Sequence, residues 1–250
     1  MTQASDMGMN RTGIGMAPRL SEEMMRGAET SIPTSGGNGH QIEELRRVYL
    51  HDSPPIGTVP PPGTAKGTAK AGMQMLKGNR PSVFLDKLGE RLAFERTGTR
   101  LYEAVIAKLD VVGTWEQGPT REELMTFHDE ELAHFAMVRE AIEYLGGDPT
   151  VVTPSADISG VVATGVLQVI TDPRSSLGHS LQALLVAELA DNDGWHMLIR
   201  LADAFGQNDL SRRFHQALAD EDRHLQSVRG WLTTELEQDL KGGVQAQKPH

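Results

Sequence analysis

Two copies of Glu-x-x-His constrain this 250-residue chain more than anything else in it: Glu131-Leu132-Ala133-His134 and Glu221-Asp222-Arg223-His224. Each is preceded by a lone Glu in a mostly apolar stretch. Glu95 stands 36 positions before Glu131, and Glu188 stands 33 before Glu221. The near-equal offsets describe an internal repeat of two helix hairpins, each with one Glu on its first helix and Glu-x-x-His on its second. All six residues fall on the seam where the helical period otherwise places Leu, Ile or Phe. A lone buried carboxylate takes up a proton or destabilises the fold. Several of them at mid-helix repel one another unless cations lie between them, and two divalent ions balance four carboxylates. Glu and His three apart share a helix face, so both can reach one ion. Imidazole with carboxylate suits iron, manganese or zinc better than calcium. A single Glu-x-x-His is usually an exposed pair; two on core faces, each with a partner Glu at a similar offset, are hard to produce by accident.

Around these positions the periodicity predicts an all-α chain of four long helices. The first spans about 82 to 110, with Leu85, Leu88, Leu92, Glu95, Thr99, Tyr102, Ile106 and Leu109 on one face. Thr120-Arg121-Glu122-Glu123 is a capping box that opens the second helix, which runs to about 145 and is ended by Gly146-Gly147-Asp148-Pro149. The third runs from about 177 to 205 and stops at Gly206; the fourth runs from about 208 to 239. Short links inside each pair imply antiparallel neighbours. The long link from 148 to 176, with a short helix near Val161 to Val169, implies one crossover between the second and third helices. Residues 1–80 read as a flexible N-terminal tail, broken by Ser35-Gly36-Gly37-Asn38-Gly39 and Val59-Pro60-Pro61-Pro62-Gly63, with a short helix near Gln41 to Leu50. The expected division is therefore 1–80 tail, 81–240 helical body and 241–250 flexible C-terminus.

The bulk chemistry narrows the function. A formal net charge of −10 argues against a nucleic-acid partner, because phosphate affinity comes from basic clusters. The chain has no Cys, which removes disulfides, zinc ribbons, thiolate-ligated iron and thiol catalysis. Val161 to Ile170 is the longest apolar stretch and is too short to span a bilayer, so no membrane is expected. The N-terminus lacks the apolar segment of a signal peptide, and the expected location is cytoplasmic.

With those residues in place, the stretch from about 82 to 240 resembles the ferritin-like superfamily of dimetal-carboxylate proteins: ferritins, bacterioferritins, rubrerythrins, manganese catalases and di-iron oxidases. The resemblance implies a ferritin-like four-helix bundle. It implies that Glu95, Glu131, His134, Glu188, Glu221 and His224 hold two metal ions per chain, with Glu131 and Glu221 bridging and Glu95 and Glu188 terminal. Tyr102, two turns after Glu95, is similar to a ferritin and rubrerythrin Tyr that hydrogen-bonds a ligand or supplies an electron. Asp191 stands where rubrerythrins carry an extra Glu. Asp220-Glu221-Asp222-Arg223-His224 resembles the Asp-Glu-x-Arg-His signature of di-iron oxygenases and desaturases, whose Asp orients a ligating His. The first copy has Glu130 and Ala133 at the Asp and Arg positions, so it matches by half.

The resemblance further implies a non-haem dinuclear protein, iron favoured over manganese, that reacts with O2 or H2O2 as an oxidoreductase. The alternatives are a ferroxidase or iron-storage protein, a manganese catalase and, last, a bundle whose metal only staples the fold. Without Cys there is no rubredoxin-type iron centre, so electrons come from a separate donor or from the substrate. Leu and Trp on the fourth helix leave room for a homo-oligomer face.

Overall fold

The computed structural model describes residues 18–31, 39–61, 67, 69 and 80–241, in two compact units, Met1–Pro54 and Pro55–His250. The first unit holds α1 (Pro18–Ser31) and α2 (His40–Asp52). Helix α2 is the helix expected near 41–50, and none of its side chains is buried. Helix α1 was not among the helices expected from the sequence. Its order follows local charge, with Arg26 3.2 Å from Glu22 and Arg19 3.6 Å from Glu23, both at the i,i+4 spacing that supports a helix. Residues 1–17, 32–38, 62–66, 68 and 70–79 of the expected tail, and the expected flexible C-terminus from 242, lie outside the described residues.

The second unit holds five helices: α3 (Pro81–Val112), α4 (Arg121–Leu145), α5 (Pro154–Thr171), α6 (Leu177–Ala204) and α7 (Asn208–Lys241). Among the described residues every regular element is a helix, and none is long and apolar enough to cross a membrane. The ends are set by local chemistry. Pro81 opens α3 at a position where its missing N–H costs nothing. Both halves of the Thr120–Glu123 capping box form at the start of α4. Ser176 and His179 make the same reciprocal pair at the start of α6. Gly146 and Gly206, at φ 88° and 65°, end α4 and α6 in a backbone region that side chains with a Cβ rarely occupy.

Cross-helix contacts fix the chain directions. Asp110 pairs with Arg121 at one end of α3 and α4, and Leu85 lies by Gly147 at the other, so the two are antiparallel. Gly178 beside Glu235 and Asn192 beside Asp222 make α6 and α7 antiparallel. Arg213–Glu140 and Arg223–Glu130 do the same for α7 and α4. Lys108 at Ser175 and Arg91 at Asp191 do so for α3 and α6. Helix α5 is the crossover. The short helix expected at 161–169 is 18 residues long, because its start is tied to α3. Thr153 caps it while donating to the Asp86 carbonyl, and the Asp86 carboxylate accepts from the Ser155 amide (3.0 Å) and hydroxyl (2.7 Å). Lys108 donates to the Asp172 and Ser175 carbonyls just past its other end.

Two apolar clusters fill the interior. One gathers Phe84, Leu88, Val138, Ile142, Leu198 and Phe214, with Val59 from the segment before α3 packed against it. The other gathers Leu101, Val105, Leu124, Leu181, Val228 and Trp231. On each of α3, α4, α6 and α7 the sequence passes from one cluster to the other through a buried polar stretch: Arg91 and Glu95, Glu131 and His134, Glu188 and Asp191, Glu221 and His224. A charged layer is thus enclosed between two hydrophobic ones.

Leu88 is fully buried in the first cluster. Leu88→Ala is expected to cost about 2–5 kcal/mol, from lost burial plus the cavity it leaves. Urea unfolding checks this; an unchanged midpoint would contradict the packing described.

Candidate metal centre

The structure brings all six sequence-predicted residues into that layer, each no more than 4% exposed. They come from four helices: Glu95 on α3, Glu131 and His134 on α4, Glu188 on α6, Glu221 and His224 on α7. Three groups of side-chain atoms lie close enough together to hold a metal ion: Glu131, Glu188, Glu221 and His224; Glu95, His134 and Glu221; and Glu95, Glu131, Asp191 and Glu221. Glu221 belongs to all three. Its Oε1 lies 2.9 Å from His134 Nδ1 and its Oε2 lies 3.3 Å from His224 Nδ1, so one carboxylate faces both imidazoles. His224 Nδ1 is also 3.6 Å from Glu131 and 3.8 Å from Glu188, while His134 Nδ1 is 3.7 Å from Glu95.

Glu131 and His134 of the first motif share no group: Glu131 joins His224 in one group and Glu95 in another, while His134 joins Glu95 and Glu221. The i,i+3 rule places two side chains on one face but does not choose between neighbouring positions along the layer.

The two imidazoles are held from behind by a crossed arrangement. His224 Nε2 donates to Glu130 Oε2 at 2.7 Å, and His134 Nε2 lies 3.5 Å from Asp220 Oδ2. Each carboxylate precedes the Glu of one motif and serves the His of the other. Arg223 joins them, donating to Glu130 and, at 3.1 Å, to Asp220. Glu130 therefore does for His224 what Asp220 does for His134, and one arginine serves both copies. With the outer nitrogens engaged, both Nδ1 atoms point into the cluster.

Tyr102 donates to Glu188 Oε1 at 2.6 Å, reaching across to α6 rather than back to Glu95 on its own helix. Burial, reinforced by Glu188, pushes its phenol well above the usual range, so it stays a donor. Asp191 is buried and pairs with Arg91, whose guanidinium is 3% exposed and 3.5 Å from Glu95 Oε1. Arg91 was not among the sequence candidates. Its signal was a basic residue on the apolar face of α3, one turn before Glu95. Two glycines also proved to be part of the site. A Cβ on Gly98 would overlap the Glu131 carboxylate, and one on Gly194 would come within 2.7 Å of the Arg91 guanidinium carbon. Two other histidines near the motifs stand apart: His128 sits beside Glu103 and Asp129, and His196 is exposed.

The donor set fits a cation. Among the described residues, nine buried side-chain N or O atoms lack a hydrogen bond, and eight belong to the six predicted residues: both oxygens of Glu95 and Glu221, one each of Glu131 and Glu188, and Nδ1 of both histidines. Buried polar atoms are nearly always satisfied, and leaving one unpaired costs about 1–3 kcal/mol, more if charged. Eight converging in one layer describe a place for positive charge.

Protons supply that charge when metal does not. Burial, then Glu221 and Glu95, pushes Glu131 well above the usual carboxylate range. Burial and Glu221 push Glu188 up to about 8 against the opposing pull of His224. Burial would also raise Glu221, but His134 and His224 outweigh it and bring it down to about 2. Burial would lower His134, yet Glu221 and Glu95 bring it up to about 11.

Between its ordinary value of 4.5 and about 8, folded Glu188 keeps a proton that the unfolded chain releases. His134 does the same between 6.5 and about 11. Both contributions are therefore present at low pH and withdrawn as pH rises. The metal-free protein is expected to lose melting temperature steadily from about pH 5.5 to about pH 8.5. Added Mn(II) or anaerobic Fe(II), which replaces those protons, is expected to flatten the profile. Calorimetry with and without metal checks this, and a profile that rises with pH in the metal-free protein contradicts it. Gly98→Ala is expected to displace the flexible Glu131 carboxylate and lower metal stoichiometry while helix content by circular dichroism holds. Full metal content in that variant would show that Glu131 has room to spare. In comparisons with known proteins, no family model, no curated protein and no solved structure matches the chain.

Proposed function

We propose that the chain from α3 to α7 is a ferritin-like four-helix bundle holding a non-haem dinuclear metal centre, iron favoured over manganese, and that it reacts with O2 or peroxide as an oxidoreductase. The observation that carries this reading is the set of eight unsatisfied buried donor atoms on Glu95, Glu131, His134, Glu188, Glu221 and His224. The charges agree with it. Asp191 is balanced by Arg91, and the four remaining carboxylates match two divalent ions. The antiparallel pairs and the single crossover through α5 are the connectivity of ferritin-like bundles.

Glu95 and His134 would hold one ion and Glu188 and His224 the other, with Glu221 shared and Glu131 within reach of both. When bound, a pair of redox ions supplies paired electron transfer to O2 or peroxide, sharing the change in charge between them. The residues around them do the rest. Glu130 and Asp220 engage the outer imidazole nitrogens, so each Nδ1 is directed inward, where a metal ion would take the place of its proton. Tyr102 occupies one oxygen of Glu188 and leaves the other free. It also places a phenolic O–H beside the centre, where a proton or an electron can be delivered. The apolar clusters on both sides keep bulk water out and strengthen every charge interaction inside. A chain without Cys carries no thiolate-bound iron relay, so reducing electrons would come from a separate donor or from the substrate.

Elemental analysis of protein from its native host, with O2 and H2O2 consumption assays, tests the proposal. About two irons per chain with O2 or peroxide consumption support it. Manganese with O2 evolution from H2O2 would make it a catalase, and iron accumulating far beyond the dinuclear ratio would make it a store. Glu221→Ala, which removes the carboxylate common to all three groups, is expected to abolish dinuclear binding and leave the helices largely intact. Retention of both ions in that variant would sink the assignment.

A further inference from the structure

The two halves of the centre are related by the repeat, but one half carries something the other lacks. The lone glutamates are 93 positions apart, and the same offset pairs Tyr102 with Trp195. The two aromatics sit edge-on to the two imidazoles, Tyr102 to His224 at 5.9 Å and Trp195 to His134 at 5.4 Å. The correspondence therefore holds in space as well as in sequence. Applied to Arg91, the offset gives Leu184. Applied in reverse to Asp191 and Gly194, it gives Gly98 and Leu101. The arginine, the carboxylate that holds it and the glycine gap that admits it are three linked features of one half only.

Their placement has a direction. The Arg91 guanidinium donates to the Asp191 carboxylate and, at 2.9 Å, to the Asp191 carbonyl. Its Nε lies 3.5 Å from Glu95 Oε1. It is further held between Phe94, 4.4 Å from the ring centre, and Trp195, 5.9 Å away. Arg91 is thus a fixed internal cation beside the Glu95 and His134 half. No arginine or lysine takes part in the ion pairs and hydrogen bonds of Glu188 and His224 among the described residues. Asp191 lies close enough to Glu95, Glu131 and Glu221 to join them around one ion, yet its carboxylate is engaged by Arg91.

We propose that Arg91 is an internal counter-cation that withholds Asp191 from the centre and competes for Glu95, so that the Glu188/His224 half takes up metal first and the Glu95/His134 half second and more weakly. The inference rests on the dinuclear reading above. Two effects act in the same sense. An ion entering the second half must draw Glu95 away from a fixed positive charge, and it finds the nearest additional carboxylate already occupied. In a buried layer a unit charge at this range is enough to separate the two affinities by on the order of tenfold or more.

The test is an anaerobic titration of the full-length, metal-stripped chain with Co(II), which is not oxidised under these conditions and reports each site through its visible absorption. The wild-type chain is expected to fill in two steps whose dissociation constants differ by at least about tenfold. Arg91→Met removes the competitor and frees Asp191, so the second step tightens toward the first. Asp191→Asn leaves Arg91 with Glu95 as its remaining carboxylate partner, so the second step weakens while the first holds. Arg91→Lys keeps the charge and is expected to keep two steps. The opposite signs for Arg91→Met and Asp191→Asn separate this role from a purely structural one, which would weaken both steps in both variants. If Arg91→Met does not fold, Asp191→Asn and Arg91→Lys still decide the question. Equal steps in the wild-type chain, or variants that shift both steps alike, overturn the role of Arg91 and leave the dinuclear centre standing. A wild-type chain that binds no Co(II) overturns the centre itself.

Discussion

An excess of buried negative charge is the constraint around which the rest of this protein is arranged. Five carboxylates and two imidazoles share a layer closed above and below by packed apolar side chains. Removing so many acidic groups from water is unfavourable unless each finds a partner. The fold supplies some partners: Arg91 for Asp191, the Tyr102 hydroxyl for one oxygen of Glu188, Glu130 behind His224 and Asp220 near His134. What remains is a set of inward donor atoms without a hydrogen bond, and protons or metal must complete it. The shifted acidities of Glu131, Glu188, His134 and Glu221 are consequences of that deficit.

The surroundings of the layer serve the same end. Antiparallel pairing of α3 with α4 and of α6 with α7 places each lone Glu opposite a Glu-x-x-His motif. The α5 crossover, tied to Asp86 at one end and Lys108 at the other, lets the second hairpin lie antiparallel to the first along α3. Arg223 then clamps Glu130 and Asp220 across the junction of α4 and α7. Small residues matter as much as charged ones. Gly98 gives the Glu131 carboxylate its place against α3, and Gly194 admits a guanidinium into a helix interface.

Much of this was legible in the sequence wherever the governing interaction is local. The Thr120–Glu123 box, the stop at Gly206 and the long helices themselves follow from contacts within a few residues or from simple periodicity. The six donor residues were legible because polar groups on an apolar seam violate the pattern around them. Partner choice was not. The reach of Tyr102 to Glu188, the crossing of Glu130 to His224 and the parting of Glu131 from His134 depend on which helices lie side by side. Helix α5 is longer than its apolar run suggests, because its polar first turn is opened by Thr153 and Pro154 and held from outside by Asp86. Arg91 passed as an ordinary charged residue, since its burial makes sense only with the gap at Gly194 and the carboxylate of Asp191.

The sequence by itself determined the helical class, most element ends and the identity of the residues that must be neutralised, because period, caps and misplaced charge are properties of neighbours along one chain. The tertiary structure alone decided which carboxylate faces which imidazole, where a buried arginine is tolerated and why the two halves of a repeated motif are not equivalent. Those outcomes depend on distances between residues tens of positions apart, set by how the helices share one interior.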